Sequence, residues 1–139
     1  DFSKARRFYQ LIRTPLSTIA LDLVVTSDII EHVRKPTAVF KQIRRILKSG
    51  GHHVFTVPLQ HPLREQSVVR VDTTGPTDRP LQPARYHGDG KGGRSLVYTD
   101  FGADIVDMLN KTGFDSSLSV PETHSAIANR VITVVCRAR

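Results

Sequence analysis

A nearly continuous apolar run is the first strong signal in the pattern of hydrophobic and polar positions. It covers residues 21–25 and is interrupted only by Asp22. A strand with one solvent-exposed face alternates apolar and polar residues, whereas a strand buried on both faces of a parallel sheet does not. The pattern therefore predicts a buried strand over Leu21–Ser27.

An amphipathic helix and a second strand are predicted directly after this run. The apolar residues recur at helical spacing: Val39, Phe40, Ile43, Ile46 and Leu47. Pro36 suits the first turn of the helix, and Gly50 suits a left-handed stop. Residues 54–57 are mostly apolar and Pro58 ends them, which is typical of a strand. Because a helix links the two strands, they should be parallel.

The rest of the chain predicts a long connection, a second helix and a final strand pair. Residues 59–95 hold four prolines and most of the glycines, and a connection of this length is either a lid or disordered. The helix is expected from about Asp100 to Thr112, with Gly113 as its stop. Strands are expected over residues 116–120 and 131–137.

Length, charge and cysteine content narrow the class of protein. A chain of 139 residues with 39% apolar content can form one domain or less. The net charge of +7 invites a nucleic-acid interpretation, but the basic residues are spread along the chain and no nucleic-acid motif is present. The single Cys136 excludes an internal disulfide and favours a cytoplasmic protein. No segment predicts a membrane span or a secretory signal.

Two motifs, in this order, carry a resemblance to a known family. The first is LDLVVTSDIIEHV followed by RRILKSGG and HHVFTVP, and the second is YHGD at residues 86–89 followed by LVYTDFG. Both resemble class I S-adenosylmethionine-dependent methyltransferases, specifically those similar to methyltransferase type 11. The resemblance implies an α/β fold made of the second half of a Rossmann-like sheet. That half contains family strands four to seven, with the last pair antiparallel and the final strand between its partner and strand five.

The glycine-rich ExGxGxG loop that follows the family's first strand is absent from the chain. The glycines of YHGDGKGGRS follow no apolar strand and open no helix, which favours a surface loop over a phosphate-binding loop. We therefore expect a partial methyltransferase domain, a C-terminal fragment of the enzyme. Its expected parts within residues 1–139 are an N-terminal segment 1–20, a strand-helix-strand unit 21–58, a long loop 59–95, and a helix with the C-terminal strand pair 96–139.

The resemblance implies S-adenosylmethionine as cofactor and methyl transfer to a small-molecule or saccharide-like acceptor. We expect the fragment alone to be inactive, and to self-associate through the open edge of strand four. Two alternatives stay open. One is a non-catalytic methyltransferase-like remnant or partner-binding module, and the other is a basic RNA-binding domain.

The first candidate site follows the first predicted strand. The resemblance implies that Ser27 and Asp28 contact the cofactor, although Asp28 could instead cap the following turn. Asp28 and His32 are the candidate catalytic residues, since a neutral histidine can accept a proton from a reacting hydroxyl. In some similar proteins an acidic residue and the neighbouring histidine, here Glu31 and His32, touch a divalent ion. A histidine that only hydrogen-bonds the helix start is the favoured interpretation.

The second candidate site is the YHGD element. The resemblance implies that Tyr86, His87 and Asp89 bind the acceptor, while the glycine-rich surroundings favour simple exposure. The adjacent His52 and His53 open a strand, so they should point to opposite faces and cannot chelate one ion together. No metal is assigned from the sequence.

Overall fold

The computed structural model of the chain describes residues 20–59, 62–88, 92–120 and 132–139. The predicted N-terminal segment thus lies, apart from residue 20, outside the described residues. The elements, in chain order, are β1 (Leu21–Ser27), a 3₁₀ turn (Ile30–His32), α1 (Pro36–Ile46), β2 (Leu47–Thr56), β3 (Val68–Val69), β4 (Val71–Asp72), β5 (Arg79–Pro80), β6 (Tyr86–Gly88), β7 (Arg94–Leu96), β8 (Thr99–Asp100), α2 (Ile105–Asn110), β9 (Phe114–Ser119) and β10 (Thr133–Ala138). None of the described helices has the length and apolarity needed to span a membrane.

A mixed four-stranded sheet in the order β1-β2-β10-β9 forms the centre of the described fold. β1 and β2 are parallel, and β10 is antiparallel to both β2 and β9. The α/β class, the parallel first pair and the insertion of the last strand beside β2 are therefore confirmed. The assignment to the second half of a larger sheet stays a prediction.

The helix α1 follows its predicted pattern at its start and on its buried face. Pro36 occupies the first turn, where its missing N–H costs no hydrogen bond. The buried side chains are Val39, Phe40, Ile43 and Ile46. They pack with residues of α2 and one sheet face in a single apolar cluster. This packing fixes α1 over the parallel pair, which places the residues before α1 at the carboxyl end of β1.

The predicted role of Gly50 as the helix stop is wrong. α1 ends at Ile46, and the extended backbone of Leu47 begins β2 immediately. Gly50 does have the left-handed φ of +79°, but it lies within β2. The pairing register between β1 and β2 shifts between Leu21 and Leu23, opposite this region of β2. Gly50 therefore lies at an irregularity of the strand, and its lack of a Cβ atom permits the positive φ there.

The prediction that β1 is buried on both faces is wrong for the described part of the chain. Val24 and Thr26 are buried, but Leu23 is 55% exposed and Val25 is 65% exposed. The apolar cluster with α1 and α2 lies on the Val24 side of the sheet. Among the described residues, no helix covers the opposite face, and β1 has one neighbouring strand. Among the described residues, β1 is therefore an apolar edge strand with one solvent-exposed face.

The second helix is shorter than predicted. α2 covers Ile105–Asn110, and Gly113 with φ +100° follows its last turn as expected. The predicted start at Asp100 is wrong, because this residue belongs to β8 and pairs with β3. Its carboxylate accepts hydrogen bonds from Arg70 at 2.6 Å and Arg85 at 3.1 Å. These two ion pairs therefore link the long connection before β8 to Asp100, which precedes α2.

The long connection over residues 59–95 is ordered in its described part. β3 pairs with β8, β4 with β5 and β6 with β7, each pair antiparallel. Val71 of β4 and Val97, the residue after β7, are buried. The disordered alternative is therefore wrong for the described part of this segment, whereas a role as a lid stays a prediction.

The open edge and bare face of β1 predict self-association of the chain. Exposed Leu23 and Val25, together with backbone groups of β1 that pair with no strand on that edge among the described residues, form a surface on which a second chain can pair. We expect oligomers at tens of micromolar in analytical ultracentrifugation, and we expect Val25→Lys to shift the population toward monomer. Val69→Lys is the matched control, since Val69 is equally apolar and 54% exposed but lies on β3. Equal sedimentation of the wild type and both variants as monomers would rule this surface out.

Candidate functional site

The first part of the site is the turn that follows β1. Asp28 has φ +49°, a left-handed conformation that a residue with a side chain adopts at some cost. Its N–H donates to the Thr56 carbonyl at 3.1 Å. The Ser27 hydroxyl lies 3.1 Å from Oδ2 of Asp28 and 3.0 Å from Oγ1 of Thr56. Three polar side chains therefore meet at the carboxyl ends of the parallel strands.

This geometry does not support the interpretation that Asp28 caps the following turn. The 3₁₀ turn has Ile29 at its N-terminal boundary and no side-chain hydrogen bond there. The Asp28 carboxylate instead accepts from Ser27 and, at 3.5 Å, from Thr56. Thr56 was not among the predicted site residues. The signal that could have found it is its position at the carboxyl end of the strand parallel to β1.

A buried glutamate with two histidines forms the second part of the site. Glu31 is 2% exposed, and neither of its carboxylate oxygens has a hydrogen-bond partner in the described part of the chain. Its Oε1 lies 3.5 Å from Nε2 of His32 and 3.6 Å from Nδ1 of His87. The two imidazole rings meet edge to face, with centroids 5.1 Å apart. We call these three residues the Glu31 cluster.

His32 is held by a backbone carbonyl of the long connection. Its Nδ1 lies 2.8 Å from the carbonyl oxygen of Leu96. A carbonyl only accepts, so Nδ1 carries a proton, and in the neutral form of the ring the lone pair lies on Nε2, which faces Glu31. The favoured interpretation from the sequence, that His32 bonds the helix start, is therefore wrong. The residue instead links the turn to β7.

The strands β6 and β7 are held over the 3₁₀ turn by backbone hydrogen bonds. The N–H of Tyr98 donates to the Glu31 carbonyl at 2.8 Å, and the N–H of Val97 donates to the Arg85 carbonyl at 2.9 Å. Arg85 also pairs with Asp100. These contacts bring His87 on β6 to Glu31 and close the carboxylate off from solvent.

Burial controls the electrostatics of the Glu31 cluster. It raises the pKa of Glu31 to about 7, and the nearby negative charge of Asp28 adds to this rise. The pKa of His87 is lowered, first by burial and then by the neighbouring charges of His32 and Arg85. The cluster therefore contains a carboxyl group that takes up or releases a proton near neutral pH, beside the His87 ring, whose lowered pKa favours the neutral form.

The predicted acceptor residues separate in the structure. His87 joins the Glu31 cluster, whereas its neighbour Tyr86 is 49% exposed on the same strand. The guanidinium of Arg94 lies 5.7 Å from the centre of the Tyr86 ring. Adjacent strand residues point to opposite faces, so Tyr86 and His87 do not face one pocket together. Asp89 lies outside the described residues.

The two adjacent histidines of β2 point to opposite faces, as predicted. His52 is exposed, while His53 is fully buried with its Nε2 3.1 Å from the Thr26 hydroxyl. The ring of His53 stacks on Phe55 with centroids 4.4 Å apart, and burial lowers the pKa of His53 to about 3. His53 is thus a neutral core residue. Cys136 is likewise buried in the core.

The raised pKa of Glu31 predicts a pH dependence of stability. The folded state holds the proton up to about pH 7, while the unfolded chain releases it near the ordinary glutamate pKa of 4.5. This contribution is therefore complete below about pH 4.5 and is lost as the pH rises to about 7, by up to about 3 kcal/mol. We expect the free energy of unfolding of wild type to fall by about this amount relative to Glu31→Gln between pH 5 and pH 8.

Urea unfolding at both pH values measures this difference. The buried His53 acts in the opposite direction below pH 6.5, but it is present in both proteins and cancels in the comparison. Asp107→Asn, at an exposed acid of α2, should follow the wild-type pH profile. Parallel profiles for wild type and Glu31→Gln would contradict the buried state of this carboxyl.

Solved structures of several methyltransferases share the fold. They include an S-adenosylmethionine dependent methyltransferase from Mesorhizobium loti (18% identity, 93% of this chain and 66% of that chain, TM-score 0.54), the CcbJ methyltransferase from Streptomyces caelestis (17%, 91% and 61%, TM-score 0.55) and the glycopeptide N-methyltransferase MtfA (14%, 87% and 56%, TM-score 0.54). The chain spans about half to two thirds of the lengths of the structures it matches. No curated protein matches the chain at a significant level.

A family comparison agrees with the fold and covers most of the chain. Residues 4–115 match the family described as a methyltransferase domain. The matched range includes the turn after β1 and the Glu31 cluster. The resemblance inferred from the two sequence motifs is thereby confirmed, and the chain belongs to the methyltransferase domain family.

Proposed function

We propose that this chain takes part in methyl transfer from S-adenosylmethionine to a small-molecule or saccharide-like acceptor, as an incomplete part of the enzyme. The observation that carries the proposal is the meeting of Ser27, Asp28 and the Glu31 cluster at the carboxyl end of a parallel strand pair. Open α/β sheets bind their ligands at this end of their strands. Family membership supplies the class of reaction.

The solved structures support the choice of cofactor. MtfA was solved with S-adenosyl-L-methionine and with S-adenosyl-L-homocysteine, and DhpI was solved in complex with S-adenosyl-L-homocysteine. In this chain, Ser27 and Asp28 are the residues we assign to the methionine end of the cofactor. Both side chains are exposed at the end of β1, so a ligand can reach them.

Asp28 and His32 are the residues we assign to proton removal. In the reaction, the acceptor atom forms a bond to the methyl carbon, and the carbon–sulfur bond breaks with its electron pair left on sulfur. The acceptor proton then needs a base. The proton on Nδ1 of His32 leaves Nε2 free to accept it, and the Asp28 carboxylate offers a second acceptor on the exposed side of the turn.

The acceptor proposal draws on β6. His87 is partly exposed beside the cofactor turn, and Tyr86 presents an aromatic face on the same strand. We assign Tyr86, His87 and Asp89 to acceptor binding, with Tyr86 and His87 contacting the acceptor from opposite faces of β6. An exposed aromatic ring and polar groups suit a saccharide-like or other small polar acceptor, and MtfA is a glycopeptide N-methyltransferase.

A non-catalytic partner-binding module is the second candidate. The observation that favours it is the absence of a glycine-rich cofactor loop from the 139 residues. The two candidates differ in one measurement on the full gene product, namely the transfer of a labelled methyl group from S-adenosylmethionine to a panel of small acceptors. Transfer of the methyl group supports the enzyme. The partner-binding module is supported when no transfer occurs and the protein still binds a partner without S-adenosylmethionine.

We predict that the 139-residue chain by itself binds S-adenosylmethionine weakly or not at all. The glycine-rich loop lets the backbone approach the amino acid end of the cofactor, and no such loop is present. Isothermal titration calorimetry should give a dissociation constant weaker than the micromolar range. Micromolar binding by the isolated chain would mean that the cofactor site is built from other residues.

We predict that Asp28→Ala and His32→Ala lower turnover in the full gene product by about 10²- to 10⁴-fold, the range of general acid–base groups. Their effect on stability should be near 1 kcal/mol, because each removes one or two partly exposed hydrogen bonds. Asp107→Ala is the control, since this acid lies on the exposed side of α2. Turnover within threefold of wild type for both site variants would assign the turn a structural role.

A further inference from the structure

We propose that a cleft between the start of α1 and the long connection binds a small amphipathic carboxylate, a molecule with an apolar body and one anionic end. The cleft has a volume of about 620 Å³, within the range of about 300–1,000 Å³ for ligand sites. Its walls are residues 34–38, parts of β3, β4 and β8, and one residue of α2. None of the described residues assigned above to the cofactor, to proton removal or to the acceptor lines it, so the site does not rest on the proposed methyl transfer.

Exposed apolar side chains in the cleft are the first reason for the proposal. Val69 is 54% exposed and Leu81 is 48% exposed, and both line the cleft together with the partly buried Met108. Buried Val71 belongs to the same lining. Apolar side chains that face water in a concave surface favour a ligand that covers them. The body of the ligand is therefore apolar.

A positive charge at the start of α1 is the second reason. Lys35 is exposed and lines the cleft, and its side chain has no hydrogen bond or ion pair among the described residues. The first turn of α1 contains no acidic residue, and its N-terminal boundary has no side-chain hydrogen bond. The Lys35 ammonium group and the positive end of the helix dipole therefore both favour an anionic group at this wall.

The acidic side chains at the cleft are already paired, so they do not neutralise Lys35. Asp72 lines the cleft and pairs with Arg79 at 2.8 Å. Asp78 pairs at 2.6 Å with Arg34, which also lines the cleft. Of these five side chains, three are positive and two are negative, which leaves one positive charge. A ligand with one negative charge complements it.

A buried hydroxyl group is the third reason. Thr99 is 7% exposed and lines the cleft, and its side chain makes no hydrogen bond to another described residue. A buried hydroxyl group without a partner is costly, and an oxygen atom of a ligand can accept a hydrogen bond from it. The lining therefore offers a cation and a hydrogen-bond donor beside its apolar side chains.

The single positive charge indicates the class of anion. A phosphate group carries a charge of about −2 and is typically bound by several cations or by a series of backbone N–H groups. One carboxylate balances one ammonium group. A purely polar anion would leave the apolar side chains of the cleft in water, so the carboxylate should carry a hydrocarbon body.

Octanoate titration of the 139-residue chain tests the site by NMR. Met108 is the single methionine of the sequence and lines the cleft, so a carbon-13 label at its methyl group reports binding there. We expect a saturable shift of this resonance with octanoate, and much weaker binding of 1-octanol, which has the same tail without the charge. Met108→Leu assigns the resonance. Val25→Lys should bind octanoate as wild type does, because Val25 lies on β1 and outside the cleft.

Two variants of the lining and one control identify the groups that bind octanoate. Leu81→Asp should weaken binding about tenfold, because it replaces an apolar side chain with a negative charge. Lys35→Gln should weaken it about threefold, the size of a solvent-exposed charge contact. Lys41→Gln is the matched control, since Lys41 is an exposed lysine of α1 outside the lining, and it should bind as wild type does.

The three substituted residues are exposed, so the circular dichroism of each variant should match that of wild type. The proposal is overturned when octanoate gives no saturable shift of the Met108 resonance, or when 1-octanol binds as tightly as octanoate. It is also overturned when Leu81→Asp or Lys35→Gln binds octanoate as tightly as wild type, or when Val25→Lys or Lys41→Gln weakens binding as much as the variants of the lining do.

Discussion

The carboxyl group of Glu31 is buried and has no hydrogen-bond donor among the described residues, and the candidate site depends on how this group is accommodated. Burial of a carboxylate costs several kcal/mol unless a proton or a cation compensates it. This cost raises the pKa of the Glu31 carboxyl group to about 7. His32 and His87 are the neighbours that can share a proton with it. The chemistry of the site therefore depends on the charge of the Glu31 carboxyl group.

The fold creates this environment through two sets of contacts. The parallel pairing of β1 and β2 ends at Ser27 and Thr56, which fixes the turn with its left-handed Asp28. In the second set, the hydrogen bond from the Tyr98 N–H to the Glu31 carbonyl holds the end of the long connection against the 3₁₀ turn. The ion pairs of Asp100 hold that connection in turn. Loosening either set would admit water to Glu31 and return its pKa toward an ordinary value.

The sequence was sufficient for the elements whose apolar residues repeat regularly. The strand β1, the buried face of α1 and the order of the last strand pair all follow from local patterns or from the family resemblance. The errors occurred where a local signal competed with tertiary contacts. Gly50 looked like a helix stop but serves an irregular strand, and Asp100 looked like a helix start but pairs in β8 with Arg70 and Arg85 nearby.

The Glu31 cluster could not be derived from the sequence for a related reason. Glu31 and His32 were visible as a polar pair after a strand, but their third member lies on β6, beyond α1 and β2. The connection from β2 to β6 is rich in proline and has no periodicity, so its path is set by contacts such as those of Asp100 and of Leu96 with His32. The sequence therefore identified the candidate residues but not which of them meet.

The pKa of the Glu31 side chain is the measurement that tests this picture most directly. Carbon-13 NMR of the chain labelled at the glutamate carboxyl groups, recorded without metal ions over pH 3 to 9, follows the ionisation of Glu31, with Glu31→Gln used for assignment. A titration midpoint near 7 is expected from its burial. A midpoint near the ordinary value of about 4.3 would show that water reaches the carboxylate and would contradict the buried cluster.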